Sequence, residues 1–194
     1  VADGGVCLPI QTHSLTSDSF FASEIISKRT FAVGTGRDIV IRARMQNADA
    51  RGIVGGMFLY SLNEPTGTLH DEIDFELLTN LPHVVQTNIY SNEILGPGHV
   101  KLIANQARPI TAWHTYEMKW WPRRVTWLID GKTVRTTTSN IPTHAMNFYF
   151  NVWAPDHWWP EGSSDLIQPA RSESGNVVLN ALCVDSIVIK RMGS

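Results

Sequence analysis

Hydrophobic and polar residues alternate with a period of two along most of the chain. Residues 38–45 read Asp-Ile-Val-Ile-Arg-Ala-Arg-Met, which gives one mainly apolar face and one mainly polar face. Successive side chains of a β-strand point to opposite faces, so this pattern predicts strands with one buried face. Strands are predicted at residues 38–45, 53–60, 71–78, 83–90, 147–153 and 184–191.

The strongest hairpin signal lies in residues 125–137. Two runs rich in β-branched residues are separated there by Asp130 and Gly131. An Asp-Gly pair between such runs favours a type I′ turn, because both central residues of that turn need positive φ angles. The segment is therefore predicted to be two antiparallel strands joined by a two-residue turn.

Long helical patterns are absent, and short connectors rich in Gly, Pro, Asn and Ser separate the predicted strands. One longer polar stretch, residues 155–175, is predicted to be a functional surface loop. A length of 194 residues suits a single domain covering residues 1–194. We predict an all-β fold: a β-sandwich jelly roll of two curved antiparallel sheets with a concave cleft.

The composition and net charge of the chain limit the kinds of partner that it is expected to bind. Hydrophobic residues make up 43 % of the chain, charged residues make up 18 %, and the net charge is −2. This balance argues against nucleic acid or a membrane surface as a partner, because both favour basic patches. No apolar run of 18 residues predicts a transmembrane helix. We expect a monomer that is secreted, or otherwise periplasmic or extracellular, with a signal peptide removed before Val1.

The two cysteines, Cys7 and Cys183, lie near opposite ends of the chain. If the terminal strands lie side by side, these cysteines can form one disulfide that closes a very long loop. The alternative is two separate buried thiols, because cysteine is often buried as a small apolar residue. Their spacing excludes a cysteine-based zinc site.

Three carboxylates alternate with apolar residues in the segment 70–78. Glu72, Asp74 and Glu76 are two residues apart and project from one face of a strand, while the residues between them face the core. Neighbouring like charges repel, and acidic residues are disfavoured in ordinary strands. Retaining glycosidases need two carboxyl groups about 5–5.5 Å apart, one as nucleophile and one as general acid. A solvated acidic face or a cation site is the alternative interpretation.

The sequence Glu-Ile-Asp-Phe-Glu at residues 72–76 resembles the Glu-x-Asp-x-Glu signature of glycoside hydrolase family 16. The resemblance extends over residues 31–191 and includes the segments 86–90, 113–131 and 151–153. It implies that Glu72 is the nucleophile, Asp74 the assisting acid and Glu76 the general acid/base. No residue is inserted between Asp74 and Glu76, so the chain resembles the regular-strand branch typified by lichenases.

The resemblance also implies residues that contact sugar in the cleft. Indole rings suit this role in general, because they stack on the apolar C–H faces of sugars. The resemblance assigns this role to Asn88, Tyr90, Asn151 and Trp153. The further candidates are Trp158 and Trp159, in or beside the loop of residues 155–175, and His70, just before the motif.

Many members of the family carry a structural calcium ion. Asp185, in the last predicted strand, matches the acidic ligand position, with backbone oxygens near Gly36 as partners. The alternative for Asp185 is an ordinary exposed aspartate. No cofactor is expected to be required for catalysis.

The leading functional hypothesis is an endo-acting retaining hydrolase of β-1,3/1,4-glucan or a related β-linked polysaccharide. A transglycosylase acting on β-glucan or xyloglucan needs the same two glutamates, with a sugar hydroxyl in place of water. An alternative from another class is a non-catalytic glycan-binding module on the same jelly roll. Such a module has no need for three adjacent carboxylates.

Overall fold

The computed structural model of the protein describes residues 5–12, 20–62, 69–92, 98–104, 107–155, 159, 161–162 and 177–193. Within these ranges the strands are β1 (Val6–Thr12), β2 (Phe20–Phe21), β3 (Ser23–Phe31), β4 (Arg37–Met45), β5 (Val54–Leu62), β6 (His70–Leu78), β7 (Val85–Ser91), β8 (Val100–Ile103), β9 (His114–Trp121), β10 (Arg124–Ile129), β11 (Lys132–Thr137), β12 (Met146–Trp153) and β13 (Val178–Arg191). The described ranges contain no helix of the length and hydrophobicity that a membrane span requires.

The strands form two antiparallel sheets that pack as a sandwich. One sheet has seven strands in the order β11-β10-β9-β4-β13-β1-β2, and the other has six in the order β3-β12-β5-β6-β7-β8. The core lies between them and includes Ile39 and Ile41 from the first sheet and Ile73 and Phe75 from the second, all fully buried. The predicted all-β sandwich is confirmed.

The strand β6 lies inside the six-stranded sheet, between β5 and β7. Its alternate residues Ile73, Phe75 and Leu77 are fully buried. The residues between them therefore point away from the core, because successive side chains alternate across the sheet. From the opposite sheet, the indole N–H of Trp127 donates to the backbone carbonyl oxygen of Asp74 at 2.9 Å. This bond fixes the middle of β6 from the core side.

The predicted hairpin is present as β10 and β11. Ile129 pairs with Lys132 across the turn. Asp130 has a φ angle of 49° and Gly131 one of 77°, so both central residues are in the left-handed region, as a type I′ turn requires.

The two cysteines lie opposite each other on neighbouring strands. Cys7 of β1 pairs in register with Cys183 of β13. The structure joins them in a disulfide across a sequence separation of 176 residues. Of the two alternatives left open by the sequence, the disulfide is the one observed.

Replacing both cysteines, Cys7→Ala with Cys183→Ala, should lower the melting temperature by on the order of 10 °C. The chain-entropy treatment of so long a loop gives up to about 5 kcal/mol of stabilisation through the unfolded state. Thermal unfolding followed by circular dichroism measures the change. A reductant should lower the melting temperature of the wild type and leave the double variant unaffected. Equal melting temperatures for both proteins would contradict the prediction.

Candidate active site

Three carboxylates lie side by side on the face of the six-stranded sheet that points away from the core. Glu72 and Glu76 are half-buried, and Asp74 is 1 % exposed. Register with the neighbouring strands places Glu72 between Tyr60 of β5 and Tyr90 of β7. The acidic residues of the motif thus share one face of β6, as the alternation predicts.

The Glu76 carboxyl group is bound by two amide side chains of β7. Gln86 Nε2 donates to Glu76 Oε2 at 2.6 Å, and Asn88 Nδ2 donates to the same oxygen at 2.7 Å. Burial raises the pKa of Glu76 to about 7, and the negative charge of Glu72 adds to the rise, while the two amide bonds oppose it. Because Oε2 is occupied by two donors, the proton of the neutral carboxyl group belongs on Oε1.

Asp74 is the most buried of the three acids. Its Oδ1 accepts the backbone N–H of Asn88 at 2.7 Å, whereas Oδ2 has no hydrogen-bond partner among the described residues. Burial raises the pKa of Asp74 well above its usual value, and the charges of Glu76 and Glu72 raise it further. The raised pKa favours the neutral form of Asp74, and Oδ2 is the oxygen left to carry its hydrogen.

Glu72 differs from both of its neighbours in its contacts. Its Oε2 lies 3.1 Å from His70 Nε2, on the same strand and the same face. Because the ionised form of a carboxylate only accepts hydrogen bonds, the imidazole nitrogen is the donor. The three acids thus comprise two carboxyl groups whose pKa values are raised by burial and a third, Glu72, that lies within hydrogen-bond distance of His70.

The carboxylates open into a groove with a volume of about 480 Å³. Trp153 and Trp159 stand at one end of it, with ring centroids 5.7 Å apart in a stacked arrangement. The groove is lined by Glu72, Glu76, Gln86, Asn88, Tyr90, Val100, Leu102, Trp153, Trp159 and Glu161. Three of these lining residues are glutamates and none is basic, so the described part of the groove disfavours an anionic ligand.

The structure brings most of the predicted sugar-contacting residues together. Asn88, Tyr90, Trp153 and Trp159 line the groove, and His70 contacts Glu72. Trp158 lies outside the described residues.

Asn151 lies on the same sheet, opposite Gly56. Its Nδ2 donates to Glu24 Oε2 at 3.4 Å. A Cβ at Gly56 would collide with Asn151 Oδ1, so glycine leaves the space that this side chain occupies. Asn151 thus packs against β5, one strand away from β6, and is not among the residues that line the groove.

Four groove residues escaped the sequence analysis: Gln86, Val100, Leu102 and Glu161. Gln86 is two residues before Asn88, so strand alternation alone places both on one face and could have identified it. No local pattern identifies Val100, Leu102 or Glu161, because their place in the groove depends on long-range packing.

Calcium binding at Asp185 remains a prediction that its surroundings do not support. The Asp185 carboxylate lies 3.2 Å from the Arg42 guanidinium. The strand register places Asp185 far from Gly36, the residue predicted to lie beside it. Asp185 follows Val184, which pairs with Ala43, whereas Gly36 precedes Arg37, which pairs with Arg191. At about 3.3 Å per residue, the two are on the order of 20 Å apart. The described residues also contain no cluster of three His, Cys, Asp or Glu side chains arranged to hold a metal.

Comparison with known proteins identifies the family. The sequence profile described as Glycosyl hydrolases family 16 matches residues 4–168. The chain belongs to glycosyl hydrolase family 16. The resemblance carried by the 72–76 motif is thereby confirmed.

The chain is similar to both hydrolases and transglucosylases of known name. The chain is 34 % identical over 157 residues to the Beta-glucanase of Bacillus subtilis (strain 168), covering 78 % of this chain and 60 % of that protein. It is 30 % identical over 163 residues to Xyloglucan endotransglucosylase/hydrolase protein 9 of Arabidopsis thaliana, covering 78 % and 53 %. The chain thus spans less than two thirds of either relative.

The crystal structure of a prokaryotic beta-1,3-1,4-glucanase (lichenase) derived from a mouse hindgut metagenome superposes on this family 16 chain with a TM-score of 0.72. The match has 24 % identity and covers 98 % of this chain and 81 % of that one. It establishes the shared fold.

Proposed function

We propose that the chain is the catalytic domain of an endo-acting retaining glycoside hydrolase that cleaves β-1,3/1,4-glucan or a related β-linked polysaccharide. One observation carries the proposal. Glu76, whose pKa is raised to about 7, shares a groove with Glu72, whose charge contributes to that rise. Two carboxyl groups in one groove, one of them with a raised pKa, suit general acid catalysis and nucleophilic attack on one sugar.

In the first step, Glu72 attacks the anomeric carbon while the bond from that carbon to the leaving sugar oxygen breaks. Glu76 gives its Oε1 proton to the departing oxygen, so the leaving sugar departs as a neutral alcohol. In the second step, Glu76 takes a proton from water, whose oxygen attacks the same carbon and displaces Glu72 as a free carboxylate. Two inversions at one carbon give net retention.

Asp74 has a supporting role in this mechanism. Asp74 lies between Glu72 and Glu76 on β6, and its raised pKa favours the neutral form. A neutral Asp74 keeps a third negative charge out of the space between Glu72 and Glu76. Asp74 thus assists both steps without gaining or losing a proton overall.

The groove supports an internal cleavage site on a long, uncharged chain. Trp153 pairs with Val54 of β5, which is two residues from Gly56, the partner of Glu76. The stacked Trp153 and Trp159 therefore lie beyond the Glu76 end of the three carboxylates. Tyr90 lines the groove at the Glu72 end. Aromatic surfaces on both sides of the carboxylates can bind several consecutive sugar units, as an endo-acting enzyme requires.

A transglycosylase is the second candidate, favoured by the likeness to the Arabidopsis protein and its printed name. Both activities share the first step and differ in the acceptor of the second. Incubation with xyloglucan or β-glucan and an added acceptor oligosaccharide separates them. Products longer than the acceptor identify transfer, whereas hydrolysis gives new reducing ends alone.

The proposed hydrolase should release reducing ends from barley β-glucan or lichenan with retention of configuration. Laminarin, xyloglucan and agarose complete the panel and define the linkage. A proton NMR time course should show the β-anomer of the new reducing end first and the α-anomer only after mutarotation. The α-anomer as first product would contradict the double displacement, and inactivity on every β-linked glycan would contradict the proposed function.

We also infer that the protein works outside the cytoplasm. The disulfide between Cys7 and Cys183 supports this inference, because such bonds form and persist in oxidising compartments. A large insoluble or viscous polysaccharide is likewise met outside the cell.

A further inference from the structure

The His70 imidazole is the hydrogen-bond partner of the Glu72 carboxylate within the described part of the chain. Its Nε2 lies 3.1 Å from Glu72 Oε2, and the two side chains are 16 % and 20 % exposed. The donor hydrogen is present both in the imidazolium form and in the neutral tautomer protonated at Nε2. Partial shielding from water makes such a bond stronger than an equivalent contact on an open surface.

Two tyrosines fix the plane of the His70 ring. Tyr60 stacks on it with centroids 5.1 Å apart and an angle of 27°, and Tyr90 lies at 4.9 Å with an angle of 41°. Both tyrosines are the cross-strand neighbours of Glu72. The ring is therefore packed from the strands on either side of β6, and its Nε2 is aimed along β6 at Glu72.

We propose that His70 is a positioning residue for the nucleophile, an inference that rests on the proposed function. By binding Oε2, His70 leaves Oε1 of Glu72 to attack the anomeric carbon. The bond holds the Glu72 carboxylate in one orientation. In the glycosyl-enzyme, Oε2 is the ester carbonyl oxygen and still accepts the His70 hydrogen, which polarises the ester for attack by water. His70 forms no covalent bond and transfers no proton.

A pair of variants separates the hydrogen bond from the ring. His70→Phe keeps an aromatic ring between the tyrosines but removes the donor, and we expect kcat to fall about 10- to 100-fold with KM within about threefold. His70→Gln supplies an amide donor at a similar reach and should restore kcat to within about fivefold of the wild type. His83→Phe, the same change at an exposed histidine before β7, should leave kcat within about twofold.

Other outcomes would overturn the assignment. A rise in KM alone for His70→Phe would make His70 a sugar contact. Equal loss in the Phe and Gln variants would assign the effect to ring shape rather than to the donor. Because wild-type activity and the Glu72→Gln variant test the proposed function independently, a fully active His70→Phe enzyme beside an inactive Glu72→Gln enzyme would reject the His70 inference alone.

A measurement that needs no activity tests the contact itself. In protein labelled with nitrogen-15 at histidine, the His70 Nε2–H should give a ring N–H signal protected from exchange with water. Glu72→Ala should abolish that protection, because the acceptor is removed. Equal protection in the wild type and the variant would overturn the contact, whatever the enzyme assays show.

Discussion

Glu72→Gln should lower kcat on a β-linked glucan by at least about 10⁴-fold while the protein remains folded and still binds glycan. The amide has the same shape as the carboxylate and can still accept the His70 hydrogen through its oxygen. It cannot form the ester with the anomeric carbon, because an uncharged amide is a very poor nucleophile. Reducing-end release measures turnover, calorimetric titration with an oligosaccharide measures binding, and thermal unfolding measures the fold.

A matched control and a chemical rescue make this result specific. Glu117→Gln changes a glutamate on β9 whose carboxylate lies 3.0 Å from Lys119, and it should leave turnover within about twofold. Azide added to Glu72→Ala should restore cleavage of an activated β-glycoside and give an α-glycosyl azide, because the anion attacks from the side that Glu72 occupied. A β-glycosyl azide, or near-normal turnover in Glu72→Gln, would remove Glu72 from the role of nucleophile.

The strands that were predicted from sequence are ones that bury one face in the core. The segments 38–45 and 71–78 show a clean alternation because their inner residues enter the core. The strands β1, β2, β3 and β8 were not predicted, and β9 was covered only by the family resemblance over residues 113–131. Most residues of β3 are exposed, and β8 is a four-residue strand at the sheet edge, so neither has the buried face that creates a period of two.

In the candidate site, too, local alternation predicts some features, whereas others depend on contacts between strands. The common face of Glu72, Asp74 and Glu76 follows from local alternation, which any strand obeys. The hydrogen-bond donors around these carboxylates do not follow from alternation. Gln86 and Asn88 reach Glu76 from the neighbouring strand, so only the register between the two strands decides which atoms meet. Sequence therefore predicted that the three carboxylates share one face of β6 but not which side chains donate hydrogen bonds to them.

Arg135 is a further example of a long-range contact that the sequence conceals. Nothing in the hairpin pattern distinguishes it from exposed residues of β11. In the structure it is buried, its guanidinium lies 4.4 Å from the centre of the Trp127 ring, and it donates to the backbone oxygens of Thr87 at 2.6 Å and Gly98 at 2.7 Å. It thus ties β11 to the strand that carries the Glu76 donors.

Activity should fall as the pH rises through about 7, because Glu76 must carry a proton to act as the general acid. Glu76→Gln should lower kcat/KM on a natural glucan by about 10²- to 10⁴-fold at every pH. The loss should be much smaller for the first step on an aryl glycoside, whose phenolate leaves without protonation. If the wild-type enzyme remains fully active on the glucan well above pH 8, Glu76 is not the general acid.

The same substitution should stabilise the protein, which distinguishes a functional carboxyl group from a structural one. The pKa of Glu76 rises from 4.5 to about 7 on folding, so the folded state binds more protons between these values and stability decreases as the pH rises through that window. The amide introduced by Glu76→Gln carries no charge and its oxygen keeps the two amide donors, so the gain over wild type should be small at pH 4.5 and reach about 1–3 kcal/mol above pH 7. Melting temperatures at pH 5 and pH 8 should therefore diverge between the two proteins. A variant less stable than wild type at pH 8 would show that the Glu76 charge supports the fold, against the burial that the structure gives it.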